Sequence, residues 1–275
     1  MNAADPYLAV PGARLRYRDE GAGAAVLFVH GWTLDLDVWQ PQAALAGTLR
    51  VLRYDRRGFG LSTGAAALQD DVEDLRQVVT QLAVPRPLLV GMSQGARVVL
   101  EFAARHPGIA RGLIVDGAPP LAAGDLPMEQ FREAAARGGV AAFRDLWSKH
   151  PLTRLVTADR AMHALLAQVL ARYSGRDLLA PAAASQEVID DALLAQVRVP
   201  VKIVNGEHDL ASRRRTGFEL RVRLADASHD IIAGAGHMPN LDAPLAYNTI
   251  VNEFARRHLP AVASEPSQMK VRGKT

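Results

Sequence analysis

The stretch PLLV-GMSQG-ARVVLEFAARHP, residues 87–107, reads as a short apolar strand, a five-residue turn and a helix, with Ser93 at the apex of the turn. A serine on so sharp a strand-to-helix turn needs small flanking residues because other backbone passes close by, and Gly91 and Gly95 supply them. The turn lifts the hydroxyl clear of the sheet, and the N-terminus of the helix behind it favours developing negative charge. Ser93 is therefore the candidate nucleophile, Gly91 and Gly95 form its elbow, and the backbone N–H of Gln94 is a candidate oxyanion donor.

Outward from this turn, apolar runs and helical patterns alternate, which predicts an α/β fold with a mostly parallel sheet covered by helices on both faces. The central strands are expected at Ala25–Val29, Leu49–Tyr54, Pro87–Val90, Gly112–Val115, Val201–Val204 and His229–Ile232. Tyr7–Val10 and Arg14–Arg18, set around Pro11 and Gly12, read as an antiparallel hairpin that brings the sheet to eight strands. Helices are expected over Asp70–Ala83, Ala96–Arg105 and Leu245–His258, where apolar residues recur at three- and four-residue steps. Pro119–Arg198 breaks the rhythm with consecutive helical patterns and no strand. The expected organisation is thus a core of 1–118 and 199–260, a helical cap of 119–198 inserted after the sixth strand, and a flexible C-terminal tail of 261–275. Phe131, Val140, Phe143, Leu146, Trp147, Met162, Leu165, Leu166, Val169 and Tyr173 are the apolar positions that pack the cap onto the core.

Composition narrows the chemistry. The 275 residues are 49% hydrophobic and 22% charged, as expected of a globule with a large core, and no run approaches the ~18 apolar residues of a membrane span. Lys and Arg number 32 against 29 Asp and Glu, interspersed, so neither nucleic acid nor a membrane is an expected partner; a small-molecule substrate is. The absence of cysteine removes disulfides, thiolate metal sites and thiol nucleophiles. With no signal-like apolar run near the start, a cytoplasmic protein is expected. GKT at 273–275 lacks the first glycine of a phosphate loop and a following helix, Gly58 and Gly60 lack the third small residue of a dinucleotide turn, and no HExxH occurs. No metal and no cofactor are expected.

A serine hydroxyl is a weak nucleophile at neutral pH and needs a base whose tautomer is held by a third group. Of the eight histidines, His237 lies in a glycine-rich loop, GAGHMP, directly after the last expected strand. Asp209 closes the loop NGEHD after Val201–Val204, and Asp116, at the end of the preceding strand, is its rival. The order Ser93, Asp209, His237 is that of one fold family. A second oxyanion donor is expected in His30-Gly31-Trp32, after the strand AAVLFV, with the Trp32 N–H as donor and His30 bracing the turn. The basic run Arg213–Arg215 reads as a solvated helix start, with attraction of an anionic substrate as its functional alternative.

With these segments in place, the sequence resembles the α/β-hydrolase superfamily over nearly its whole length. HGW at 30–32 is similar to the family's HG turn, DRRGFGLS at 55–62 to its DxRGxGxS loop, and GMSQG, NGEHD and GHMPNLDAP to its three catalytic segments. The resemblance implies an eight-stranded sheet, a variable helical cap between the sixth and seventh strands, and no required cofactor. It points toward small esterases, enol-lactonases and cofactor-free perhydrolases, and away from dehalogenases and epoxide hydrolases, which carry Asp where Ser93 stands. The expected activity is hydrolysis of a small ester, thioester or lactone. The same constellation also serves carbon–carbon cleavage, elimination or acyl transfer, and a silent ligand-binding member of the fold is the third alternative. Met92, Met238 and Trp147 are the candidates for contact with the substrate.

Overall fold

The computed structural model describes residues 5–121, 126–180 and 189–259, so the expected tail at 261–275 lies outside the described residues. Eight strands, β1 Tyr7–Val10, β2 Ala13–Glu20, β3 Ala25–Val29, β4 Arg50–Tyr54, β5 Leu88–Met92, β6 Gly112–Asp116, β7 Val201–Gly206 and β8 Ala227–Ile232, form one sheet in the order β1-β2-β4-β3-β5-β6-β7-β8. The pairs β1–β2 and β2–β4 are antiparallel and the rest are parallel. β3, β5 and β6 are buried along their whole length, which is why they read as unbroken apolar runs rather than alternating ones.

Helices α1 Leu68–Gln81, α2 Gln94–Arg105 and α7 Ala211–Arg223 cover one face, burying Leu75, Val78, Val98, Phe102 and Leu220 with Leu27, Leu89, Leu113 and Ile203 of the sheet. The other face is covered by a 3₁₀ segment, Leu36–Gly47, and by α9 Pro244–His258, through Val38, Trp39, Tyr247, Val251 and Phe254; the single turn α8 Pro239–Asp242 precedes α9. Neither the 3₁₀ segment nor α7 is marked by apolar periodicity. The first carries Pro41 inside it, and three of the four residues buried by the second are Arg213, Thr216 and Gly217. The reading of Arg213–Arg215 as a solvated start is corrected at its first member: Arg213 is buried on α7, while Arg214 and Arg215 are exposed.

Between β6 and β7 lie α3 Met128–Ser148, broken at Gly139, α4 Arg160–Arg172, and the single turns α5 Arg176–Leu179 and α6 Asp191–Leu194. Phe131, Phe143, Trp147 and Tyr173 of this segment meet Trp32 at ring separations of 6.2, 5.6, 5.2 and 6.0 Å, over the end of β3. Polar contacts fix the same seam. Arg172 on α4 bonds Asp35 at 2.6 Å and Asp37 at 2.8 Å, and the Trp147 indole donates to the Thr33 hydroxyl at 2.7 Å. Among the described residues, no helix is long and apolar enough to cross a membrane.

Candidate active site

The side chains that sequence reasoning singles out meet at the carboxyl edge of the sheet, where loops following parallel strands gather and open α/β folds bind ligands. Ser93 links β5 to α2 with φ 52° and ψ −119°, a left-handed φ that few non-glycine residues adopt and that stores strain at a functional turn. Its N–H donates to the Asp116 carbonyl at 2.7 Å, anchoring the turn to the neighbouring strand. The glycines are sterically required. A Cβ on Gly95 would lie 2.2 Å from the Val29 carbonyl oxygen, and one on Gly91 would lie 2.3 Å from that of Gly95.

The loop after β8 brings in the imidazole. His237 Nδ1 lies 2.8 Å from Asp209 Oδ1, both residues are buried, and an ionised carboxylate opposite means that Nδ1 carries the proton. Nε2 is then the nitrogen left to act as base. Asp209 is further held by the Asn205 amide, which donates to Oδ2 at 3.1 Å, and by the Leu210 N–H, which donates to Oδ1 at 2.8 Å. Burial alone would raise this carboxyl, but the charge and hydrogen bond of His237, joined by Asn205 and Leu210, overcome it and leave Asp209 below the ordinary range. The loops carrying Asp209 and His237 are stitched together: His208 N–H donates to the Ala235 carbonyl at 2.8 Å, and Glu207 N–H to that of Ile232 at 3.0 Å.

Asp116 occupies the equivalent place one strand earlier and makes no hydrogen bond to His237. Its carboxyl is fully buried beside Tyr247, and neither oxygen accepts a hydrogen bond of ordinary geometry among the described residues. Burial, and then the charge of Asp209, push it well above the usual carboxylate range.

The turn after β3 lies against Ser93, since a Cβ on Gly31 would approach Ser93 Cβ to 3.1 Å. His30 braces it. Its Nδ1–H donates to the Gly31 carbonyl at 2.8 Å and its Nε2 accepts from the Arg56 N–H at 2.9 Å. Burial, with the Arg56 charge, holds this imidazole well below its ordinary pKa and therefore neutral. Gln94, the first residue of α2, has its side chain held by Arg56 at 2.9 Å, while its backbone N–H belongs to the helix turn that has no intrahelical acceptor.

Ser93 and His237 open onto one pocket, walled by Gly31, Trp32, Leu34, Met92, Leu126, Trp147, Leu152, Thr153 and Met238. The structure thus brings together Ser93, His237, Trp32, Met92, Met238 and Trp147. Of the other histidines, His163 and His208 are exposed, His106 and His258 sit half-buried at helix ends, His229 on β8 lies 2.9 Å from Asn205 Oδ1, and His150 stacks on the pocket residue Trp147 at a ring separation of 4.8 Å. Sequence reasoning assigns no role to Leu152 and Thr153, which lie in the coil after α3, to Gly117, or to Asn205 beyond its place in the segment NGEHD. Gly117, with φ 53°, lies under the imidazole, where a Cβ would come within 2.7 Å of His237 Cε1. Among the described residues no three of His, Cys, Asp and Glu are grouped as metal ligands would be.

A sequence model of the alpha/beta hydrolase family matches residues 26–250. A non-heme haloperoxidase of Rhodococcus erythropolis is 32% identical over 117 residues, 40% of this chain and 43% of the relative. The chain spans about two fifths of the length of the haloperoxidase and chloroperoxidase relatives it matches in this way (43%, 41% and 42%). A pimeloyl-[acyl-carrier protein] methyl ester esterase of Neisseria meningitidis is 29% identical over 259 residues, 90% of this chain and 80% of the relative. Among solved structures, a thermophilic esterase from Thermogutta terrifontis superposes with a TM-score of 0.77 at 24% identity, over 93% of this chain and 100% of that one, a likeness of fold.

Proposed function

The chain belongs to the alpha/beta hydrolase family, and from that membership we propose that it is a serine hydrolase acting on a small carboxylic ester, thioester or lactone. The observation that carries this reading is the 2.8 Å bond between His237 and Asp209, made over a pocket that also receives Ser93 on its strained turn. In the proposed cycle, Ser93 Oγ bonds to the acyl carbon as His237 Nε2 takes the hydroxyl proton, and Asp209 stabilises the imidazolium so formed. The oxyanion accepts hydrogen bonds from the Trp32 and Gln94 amides. The bond to the alcohol or thiol then breaks, and the proton on Nε2 leaves with that group. Water, giving a proton to Nε2, attacks the acyl-enzyme; the carboxylic acid departs and Ser93 Oγ regains the proton. In this reading, residues 119–198 form a cap that shapes the pocket and so selects the substrate.

A fluorophosphonate that phosphonylates activated serines tests the proposal. Wild type is expected to take up one label and Ser93→Ala none, with kcat on an activated ester lower by at least ~10³ in the variant. Labelling of Ser93→Ala, or turnover near that of wild type, ends the assignment. The haloperoxidase relative favours one second reading. Hydrogen peroxide in place of water at the deacylation step would release a peracid from the same acyl-enzyme, and peracid formation at the expense of carboxylic acid is the outcome that would select it.

A further inference from the structure

Building on the serine-hydrolase reading, we infer that the part of the substrate buried beside Ser93 is a short, uncharged acyl group of two to four carbons, and that an ester bearing a carboxylate on that group is rejected. The pocket wall is built from Trp32, Leu34, Met92, Trp147, Leu152 and Met238. Two of these carry a hydrogen-bond donor, and both direct it into the protein. Trp32 Nε1 donates to Asp177 Oδ2 at 2.6 Å, and Trp147 Nε1 donates to Thr33 Oγ1 at 2.7 Å. Thr153, the wall's hydroxyl-bearing residue besides Ser93, donates to the Trp147 carbonyl, with the His150 carbonyl 3.1 Å away. The surface left facing the pocket is carbon and thioether sulfur, together with Ser93, His237 and backbone.

A carboxylate in that space would be stripped of water with no permanently charged cation among the described lining residues to receive it. Among the described residues the lining includes no Lys or Arg, and the sequence has neither in 122–125 or 181–188, the internal stretches outside the description. The ionised groups bonded directly behind the wall are anions, Asp177 behind Trp32 and Asp209 behind His237, and both would repel it. Size follows from packing. The pocket beside Ser93 and His237 is narrow, bounded by the rings of Trp32 and Trp147 and by Leu34, Met92, Leu152 and Met238, and so suits a short chain. Extending it means displacing rings that are already in contact, Trp32 with Phe143 at 5.6 Å and with Trp147 at 5.2 Å.

Ethyl acetate, ethyl butyrate, ethyl octanoate and monoethyl succinate, assayed by acid release with the wild-type protein, test the inference. The succinate monoester matches butyrate in chain length and differs by its carboxylate. The expected kcat/KM for butyrate exceeds that for monoethyl succinate by about 10²-fold or more and that for octanoate by about tenfold or more. Trp147→Ala is expected to recover octanoate while still rejecting monoethyl succinate, because it adds room and no positive charge. If the succinate ester is turned over as fast as butyrate by protein that a fluorophosphonate labels at Ser93, the inference falls and the serine-hydrolase reading stands. If octanoate equals butyrate in wild type, the size limit falls. Absence of both label and turnover of every ester brings down the serine-hydrolase reading, and this inference with it.

Discussion

Two aspartates end neighbouring parallel strands, Asp116 on β6 and Asp209 just beyond β7, and the protein shifts their pKa values in opposite directions. Asp209 receives hydrogen bonds from Asn205 and Leu210 and faces His237 at 2.8 Å, and these contacts outweigh the cost of burial, leaving it ionised. Asp116 is buried as deeply beside Tyr247, whose hydroxyl lowers its pKa less than burial and the Asp209 charge raise it, and it ends well above the usual carboxylate range. Position at a strand end therefore does not set the pKa of a buried carboxyl. Its neighbours do: the charge and hydrogen bond of His237, with Asn205 and Leu210, lower Asp209, while burial and the Asp209 charge raise Asp116.

The largest expected effect breaks the Asp209 side of this comparison. Asp209→Asn keeps the shape but offers His237 an amide in place of a charge, and kcat on a short-chain ester is expected to fall by ~10⁴ in steady-state assays of folded protein. A loss smaller than that of Asp116→Asn would reassign the acid to β6. Next in size is Gly117→Ala, whose methyl group would press on the imidazole at a backbone φ that favours glycine. A drop of ~10² in kcat is expected, since displacing a catalytic group by about 1 Å costs on that order. Unchanged turnover would show that the imidazole has slack.

The smallest effect on rate, and the sharpest contrast, comes from Asp116→Asn, expected to change kcat by less than about threefold while altering stability against pH. The Asp116 carboxyl titrates higher in the fold than in the unfolded chain, so the folded state binds more protons, and wild type loses stability as pH rises above the unfolded value. Asp209 works in the reverse sense: its depressed pKa contributes stability that is present above the unfolded value and lost as pH falls through the folded one. Urea midpoints should therefore fall less with pH rising from 4 to 8 in Asp116→Asn than in wild type, and fall less with pH dropping from 5 to 2 in Asp209→Asn. Parallel curves for all three proteins would contradict the assigned directions of shift.

Much of this site is legible in sequence because local frames specify it. Ser93 sits between an apolar strand and a helix, Asp209 and His237 follow apolar strands through short loops, and the buried strands β3, β5 and β6 announce themselves as unbroken apolar runs. What escapes is set by contacts distant in the chain. Gly117 is one glycine among 22, and its need for a bare Cα appears only when His237 is folded over it. Asn205 matters through one amide bond to Asp209, and Leu152 and Thr153 reach the pocket from a coil with no periodic pattern. α7 escapes because its inward face is built from Arg213, Thr216 and Gly217 with a single Leu220, so polar letters occupy positions where periodicity looks for apolar ones. Asp116 and Asp209 look alike as strand-end acids and separate only when their hydrogen-bond donors are known.

The proposed catalysis at the β5 turn, with the acid drawn from the loop after β7, passes through a covalent acyl-enzyme. Mass spectrometry of protein quenched while turning over ethyl butyrate examines that covalent intermediate most directly. The account predicts a mass gain of one butyryl group, located on the peptide that carries Ser93, present in wild type and Asp116→Asn and missing from Ser93→Ala. A butyryl adduct on any other residue, or sustained turnover by Ser93→Ala without an adduct, would contradict it.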